Sequence, residues 1–302
     1  MDKLAYVYLV LILVLFSNLA QAVQTPDRVN QELLEKKDAW NISFSLQTKH
    51  LANKNPSDRF TPQTSLEFSY DPKLEKRTAL GTLSQYLTFF KAQNNLFHSS
   101  LGAYVDLGVT LKLVGETMAF WHLDVKTLDG KFGLLTDVQY DFLNLRLSLN
   151  HWSAHLVDGS NSSDITERTA ISYSLEDVRA DLVLSPISSV KLFSNIASVF
   201  HMTGEDMKRQ KKSFLIYGAG FNLMAFSSHD GLIRPFLSGD IQFDGKVNYQ
   251  THKTVICGFE WGKLKGNSPK IGFQFREGFR REGLYYDKPI REYGIVFLLP
   301  YL

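Results

Sequence analysis

His151, Ser153 and Glu167 are the side chains whose types and spacing come closest to a catalytic group. Residues two apart in an extended strand face the same side, so His151 and Ser153 share one face. A histidine can accept the proton of a serine hydroxyl while a carboxylate holds the imidazole in one tautomer. If the next strand pairs Ser153 with Glu167, the three side chains meet, and the group predicts acyl transfer.

The same segment has a structural interpretation. A bulge that turns the histidines inward leaves a polar cluster formed by His155, Asp158 and Asp164. Their imidazole and carboxylate groups also allow a divalent cation, although no strong spacing rule for a metal supports it. No other cofactor is predicted, since the chain has no Gly-rich phosphate loop or Walker pattern.

These residues lie in a chain whose hydrophobic period is two almost throughout. Leucines at 143, 145, 147 and 149 alternate with polar residues, and residues 101–113 alternate in the same way. Segments of about fourteen residues exceed the ~5–6 of soluble strands and suffice for the ~9–11 of a membrane strand. The non-apolar face carries charges in mid-strand, namely Arg146, Glu176, Arg179 and Asp181.

Alternating long strands with charges on one face predict an all-β fold: a closed antiparallel transmembrane β-barrel. We expect about 12 strands, with 14 as the alternative, over residues 40–302, and the four mid-strand charges facing the lumen. Tight turns are predicted at Asp129-Gly130 and at Asp141, and longer polar loops at 158–164 and 204–212.

Composition excludes several classes of protein. The net charge of +2 argues against a nucleic-acid-binding protein. A hydrophobic fraction of 44% argues against disorder. The single cysteine, Cys257, excludes an intramolecular disulfide framework.

The N-terminal residues predict export. An apolar run at residues 4–16 is shorter than the ~20 residues of a membrane helix, and Ala20-Gln21-Ala22 fits a cleavage site. We therefore expect a signal peptide at 1–22, a periplasmic segment at 23–39, and insertion into the outer membrane of a Gram-negative envelope.

Several motifs resemble one bacterial outer-membrane family, known as domain of unknown function 1207. The run from Arg146 through Asp158 is similar to its arginine strand and its His-x-Ser-x-His-Leu-x-Asp stretch. Residues 171–176 resemble its Asn-Tyr-Ser-x-Glu segment, and Tyr293-Gly294 its closing strand. The resemblance implies a barrel in the outer membrane and implies no reaction. The His-x-Ser pair alone also resembles outer-membrane phospholipase A and the lipid A deacylases, which carry it on an outward-facing strand.

Three functions remain open at this point. The first is a barrel with a polar lumen and a structural or narrow-channel role. The second is an interfacial lipid ester hydrolase using His151, Ser153 and Glu167, and the third is a surface-loop adhesin. The expected partners are outer-membrane lipids, lipopolysaccharide contacted by the basic loop 208–212, and the barrel-assembly machinery.

Overall fold

Antiparallel strands form a single sheet in the computed structural model, which describes residues 41–47, 64–72, 76–94, 97–114, 122–156, 173–204, 214–224, 233–262, 268–279 and 289–299. In chain order the strands are β1 (Asn41–Gln47), β2 (Ser65–Asp71), β3 (Lys76–Gln93), β4 (Phe97–Val114), β5 (His122–Tyr140), β6 (Leu143–Leu156), β7 (Tyr173–Ile187), β8 (Val190–Gly204), β9 (Phe214–Met224), β10 (Ile233–Asp244), β11 (Gln250–Trp261), β12 (Lys270–Phe279) and β13 (Pro289–Leu298). A 3-10 turn, Gly245–Val247, joins β10 to β11.

The sheet closes on itself through twelve of these strands. Each strand from β2 to β13 pairs with its neighbours in sequence, and β13 returns to pair with β2. The remaining strand, β1, pairs with β3 at Thr88–Gln93, beyond the part of β3 that β2 covers. The predicted closed antiparallel barrel of 12 strands is confirmed, and closure leaves no open edge between β2 and β13.

Alternation along each strand divides the wall into an apolar outer face and a mainly polar inner face. In β2, Leu66, Phe68 and Tyr70 are exposed on the outside, whereas Glu67 and Ser69 are buried inside. The free thiol of Cys257 is exposed on β11, where Val255 and Phe259 are also exposed. An outward band of large apolar side chains is the property that lets a closed barrel sit in lipid.

The interior is filled by ion pairs and by apolar clusters. Arg146 Nε lies 2.8 Å from Asp137 Oδ1, and Arg276 lies 3.3 Å from Glu67 and 3.0 Å from Glu292. Towards the end of the barrel where β6 ends, a cluster of buried apolar side chains occupies the interior: Ala154, Tyr173, Leu175, Ala197, Val199, Met202, Phe214 and Ile216. The buried arginines and carboxylates need each other as partners, because the desolvation of an isolated ion is unfavourable.

Connections differ between the two ends of the barrel. At one end, residues 141–142 and 188–189 form short turns, and Asp141 has a positive φ of 50°, as predicted for a tight turn. The predicted turn at Asp129-Gly130 is wrong, because both residues pair with β4 and β6 in the middle of β5. The segment 157–172 joins β6 to β7 at the opposite end. None of the described residues forms a helix long and apolar enough to span a membrane.

The predicted signal peptide, 1–22, and the predicted periplasmic segment, 23–39, lie outside the described residues. Both remain predictions.

Candidate functional site

His151 and Glu176 form a hydrogen-bonded pair on the outer face of the barrel. They are cross-strand partners on β6 and β7, with His151 Nδ1 2.9 Å from Glu176 Oε1. Their side chains are 30% and 25% exposed, so each is partly shielded by the wall. A proton on Nδ1 makes His151 the donor and leaves Nε2 as a proton acceptor.

The alternation of β6 explains why the histidine faces outward. Asn144, Arg146, Ser148 and Asn150 are buried inside, so the odd-numbered residues of the strand lie on the outer face. The leucines of that face give way to His151, Ser153 and His155 near the end of β6. The ring of Phe132 on β5 packs against the His151 ring, with 4.8 Å between centroids. The imidazole is thus held between an aromatic ring and a carboxylate.

Ser153 follows His151 on the same face, about 6.6 Å further along the strand. Its neighbour on β5 is Gly130, where an added Cβ would lie 3.1 Å from Ser153 Oγ. Ser174 is its partner on β7. The glycine therefore leaves open space beside the serine hydroxyl on the lipid side.

Glu176 faces outward from the barrel wall, so its predicted place among the lumen charges is wrong. Sequence alternation treats Tyr173 and Leu175 as outward apolar residues, but both are buried in the interior cluster. Because neighbouring strand residues face opposite sides, Glu176 must then face outward. The predicted register, in which Ser153 pairs with Glu167, is likewise wrong, because Ser153 pairs with Ser174.

The other predicted site residues divide between described and undescribed parts of the chain. His155 is exposed at the outer end of β6, whereas Asp158, Asp164 and Glu167 lie outside the described residues. Within the described ranges, no three His, Cys, Asp or Glu side chains are arranged to hold a metal ion. A divalent cation near His155 therefore remains a prediction.

The three remaining predicted lumen charges lie on the inward face. Arg146 is buried beside Asp137, and its guanidinium carbon is 5.8 Å from the centre of the Tyr86 ring. Arg179 lies 2.6 Å from Asp181, two residues along β7. These groups hold the interior together and are separated by the wall from His151 and Ser153.

A second histidine completes the outer cluster. Glu176 Oε2 is hydrogen-bonded to Nδ1 of His201 on β8, so one carboxylate contacts two imidazoles. The motifs of the sequence indicated neither His201 nor the outward position of Glu176. The available signal lies in residues 173–187. If they form one unbroken strand, Glu176 lies on the face opposite to that of Arg179 and Asp181.

Comparison with known proteins gives a family and a fold. The family described as Protein of unknown function (DUF1207) matches residues 116–301. No curated protein matches the chain.

Among solved structures, outer membrane phospholipase A from Escherichia coli is similar over 80% of this chain and 93% of its own. The TM-score is 0.52 and the identity 14%. An active-site mutant of the same protein gives 13% identity and a TM-score of 0.52, covering 81% of this chain and 93% of its own. The Salmonella typhi outer membrane phospholipase, a dimer with bound calcium, covers 83% of this chain and 94% of its own, with 12% identity and a TM-score of 0.52. At these identities the likeness shows the fold of an outer-membrane β-barrel and nothing further.

Proposed function

Because this chain belongs to the DUF1207 family of proteins of unknown function, its own side chains must indicate its role. We propose that it is an outer-membrane enzyme that hydrolyses lipid esters, with Ser153 as nucleophile, His151 as general base and Glu176 orienting His151. The observation that carries the proposal is the 2.9 Å contact between His151 Nδ1 and Glu176 Oε1 on the outward face, two residues from Ser153.

The height of the cluster in the wall suits a lipid ester. His151 lies eight residues and Ser153 ten residues beyond Leu143, which follows a short turn. With a rise of about 3.3 Å per residue and a tilt of about 40°, they stand about 20 and 25 Å from that end of the barrel. The apolar band of such barrels is about 25 Å tall, so the cluster lies at its upper margin. Ester groups of lipids lie at this boundary.

The chemistry follows from the positions of the proton donors and acceptors. Ser153 Oγ attacks the ester carbonyl carbon, and His151 Nε2 accepts the hydroxyl proton. The tetrahedral intermediate collapses, the alcohol leaves with the proton from His151, and the acyl group stays on Ser153. Water then attacks the acyl-serine with His151 again as base, which releases the fatty acid and restores the hydroxyl.

Glu176 has two tasks in this scheme. Its acceptance of the Nδ1 proton keeps Nε2 free to accept the serine proton. Its negative charge also stabilises the imidazolium that forms during attack. Glu176 thus takes the role predicted from the sequence for Glu167.

The alternative is a barrel with a structural role, and the filled interior favours it over a channel. Asp137, Val199, Ser238 and Gln242 on the inner face have 0% exposure. Water and ions need an open path through the interior, and these side chains are shielded from solvent. The adhesin alternative and the lipopolysaccharide contact rest on loops outside the described residues and stay predictions, as does a contact with the assembly machinery.

The proposal is tested with the purified full-length protein in detergent micelles containing a phospholipid with a fluorogenic acyl ester. Wild type should release the fluorophore, and Ser153→Ala should abolish release while heat-modifiable gel mobility shows an intact barrel. Ser174→Ala is the matched control. Ser174 also faces outward, opposite Ser153, but its hydroxyl is hydrogen-bonded to Thr203 and not to His151. Hydrolysis by Ser153→Ala at the wild-type rate would overturn the proposal.

A further inference from the structure

The pairing of β8 with β7 is irregular opposite Glu176. Glu176 pairs with His201, but the next residue, Asp177, pairs with Val199. Phe200 is therefore an extra residue in β8, which makes a β-bulge at this point. Bulges interrupt the alternation of a strand and re-aim the side chains beyond them.

The bulge decides which way His201 points. Below it, the odd-numbered residues of β8 face inward, as the buried Ala197 and Val199 indicate. Uninterrupted alternation would turn His201 inward as well. With Phe200 inserted, Met202 is buried in the interior and His201 faces outward with 57% of its side chain exposed. The bulge thus buries Met202 in the interior cluster and places His201 on the outer face beside Glu176.

On the outer face, His201 contacts the second carboxylate oxygen of Glu176. Oε1 accepts from His151, and Oε2 is hydrogen-bonded to Nδ1 of His201. We propose that His201 is a positioning residue, which holds the Glu176 carboxylate with Oε1 directed at His151; this inference rests on the proposed hydrolase function. A glutamate side chain has three rotatable bonds and loses substantial entropy when it is fixed in one rotamer. A donor on each oxygen keeps it in the rotamer that orients His151.

The position of His201 excludes direct proton transfer with Ser153. β7 lies between β6 and β8, and neighbouring strands are about 4.8 Å apart, so the two backbones are about 9.6 Å apart. At the level of Ser153, the residue on β8 is Thr203 and not His201. The Thr203 hydroxyl is 2.7 Å from Ser174 Oγ. His201 therefore acts on Ser153 only through Glu176 and His151.

The test compares His201→Ala, His201→Asn and Ser198→Ala in the micellar assay. The amide nitrogen of asparagine is close to the place of Nδ1, so His201→Asn keeps the donor to Glu176 and removes the ring. We expect His201→Ala to lower kcat about tenfold with KM unchanged, because it removes a partner of an orienting residue. His201→Asn should recover kcat to within about threefold of wild type. Ser198→Ala removes an outward hydroxyl of β8 that lies opposite Val178 and not opposite Glu176, so it should leave kcat unchanged.

A second readout is the rate at which a fluorophosphonate labels Ser153, since this reagent reports the nucleophile without ester turnover. Labelling should slow in His201→Ala and recover in His201→Asn. A wild-type rate in His201→Ala, with Ser153→Ala inactive, would overturn this inference and leave the hydrolase proposal intact. Equal losses of kcat in His201→Ala and His201→Asn would also overturn it, because the hydrogen bond from residue 201 to Glu176 would then not account for the effect. Full activity in Ser153→Ala would overturn both proposals.

Discussion

Replacing Glu176 by Gln or Leu separates the two tasks assigned to its carboxylate. Glu176→Gln keeps a carbonyl oxygen that can accept the Nδ1 proton of His151 but removes the negative charge. Glu176→Leu removes both the charge and the acceptor at similar size. Both changes lie on the outer face, outside the network that fills the barrel, so the fold should survive them.

The expected losses follow from the geometry of the pair. Two unit charges about 4 Å apart interact by about 4 kcal/mol at an effective dielectric constant of about 20. Side-chain exposures of 30% and 25% admit water, and we take about half of that energy as retained. The resulting ~2 kcal/mol corresponds to a fall in kcat of about 30-fold for Glu176→Gln. Loss of the remaining hydrogen bond adds about 1.5 kcal/mol, so Glu176→Leu should lower kcat about 400-fold.

The assay is initial-rate hydrolysis of the fluorogenic phospholipid in micelles at saturating substrate, with heat-modifiable mobility as the control for folding. Glu167→Gln, measured beside Glu176→Gln, decides between the two carboxylates. The reasoning would be refuted if Glu176→Leu kept wild-type kcat while Ser153→Ala was inactive. A large loss in Glu167→Gln with an active Glu176→Gln would restore the pairing expected from the sequence.

Two further predictions concern the wall and the interior. At Gly133 an added Cβ would lie 2.4 Å from the Leu149 carbonyl oxygen and 2.9 Å from Tyr104. Gly133→Ala should therefore lower the temperature at which the barrel unfolds, measured by the change in its gel mobility on heating. Gly81→Ala, with nothing within 4 Å of the new Cβ, is the matched control and should change that temperature little; equal shifts would contradict the argument. Because inward residues such as Asp137 and Gln242 are fully shielded, the protein in planar bilayers should give no discrete conductance, and regular single-channel steps would show an open path.

The strands are the part of this protein that could be predicted best from sequence. The alternating leucines at 143–149 and the turn predicted at Asp141 agree with β6, which begins at Leu143 directly after that turn. The Asp-Gly pair at 129–130 is typical of hairpin turns and predicts a turn within what is the single strand β5. In the structure those residues instead continue the pairing with both neighbouring strands. The hydrogen bonds of the full-length strand therefore outweigh the local preference of Asp-Gly for a turn.

The candidate site was predictable only in part. The sequence left two orientations open: uninterrupted alternation of β6 turns His151 and Ser153 outward, and a bulge would turn them inward. β6 pairs with β5 and β7 without a register shift, and both residues face outward. The carboxylate beside His151 was not predictable, since it depends on which residue of β7 lies opposite. Apolar residues of a membrane strand usually face lipid, yet Tyr173 and Leu175 pack with Val199 and Met202 inside the barrel.

The sequence by itself determined that this chain forms long amphipathic strands with a polar face and an apolar face. The side to which each side chain points is a local property of an extended backbone. Only the tertiary structure decided that Glu176 meets His151 and His201. Strand register is set by the sum of many cross-strand contacts and by a bulge at Phe200, and a one-residue slip turns every side chain to the opposite face.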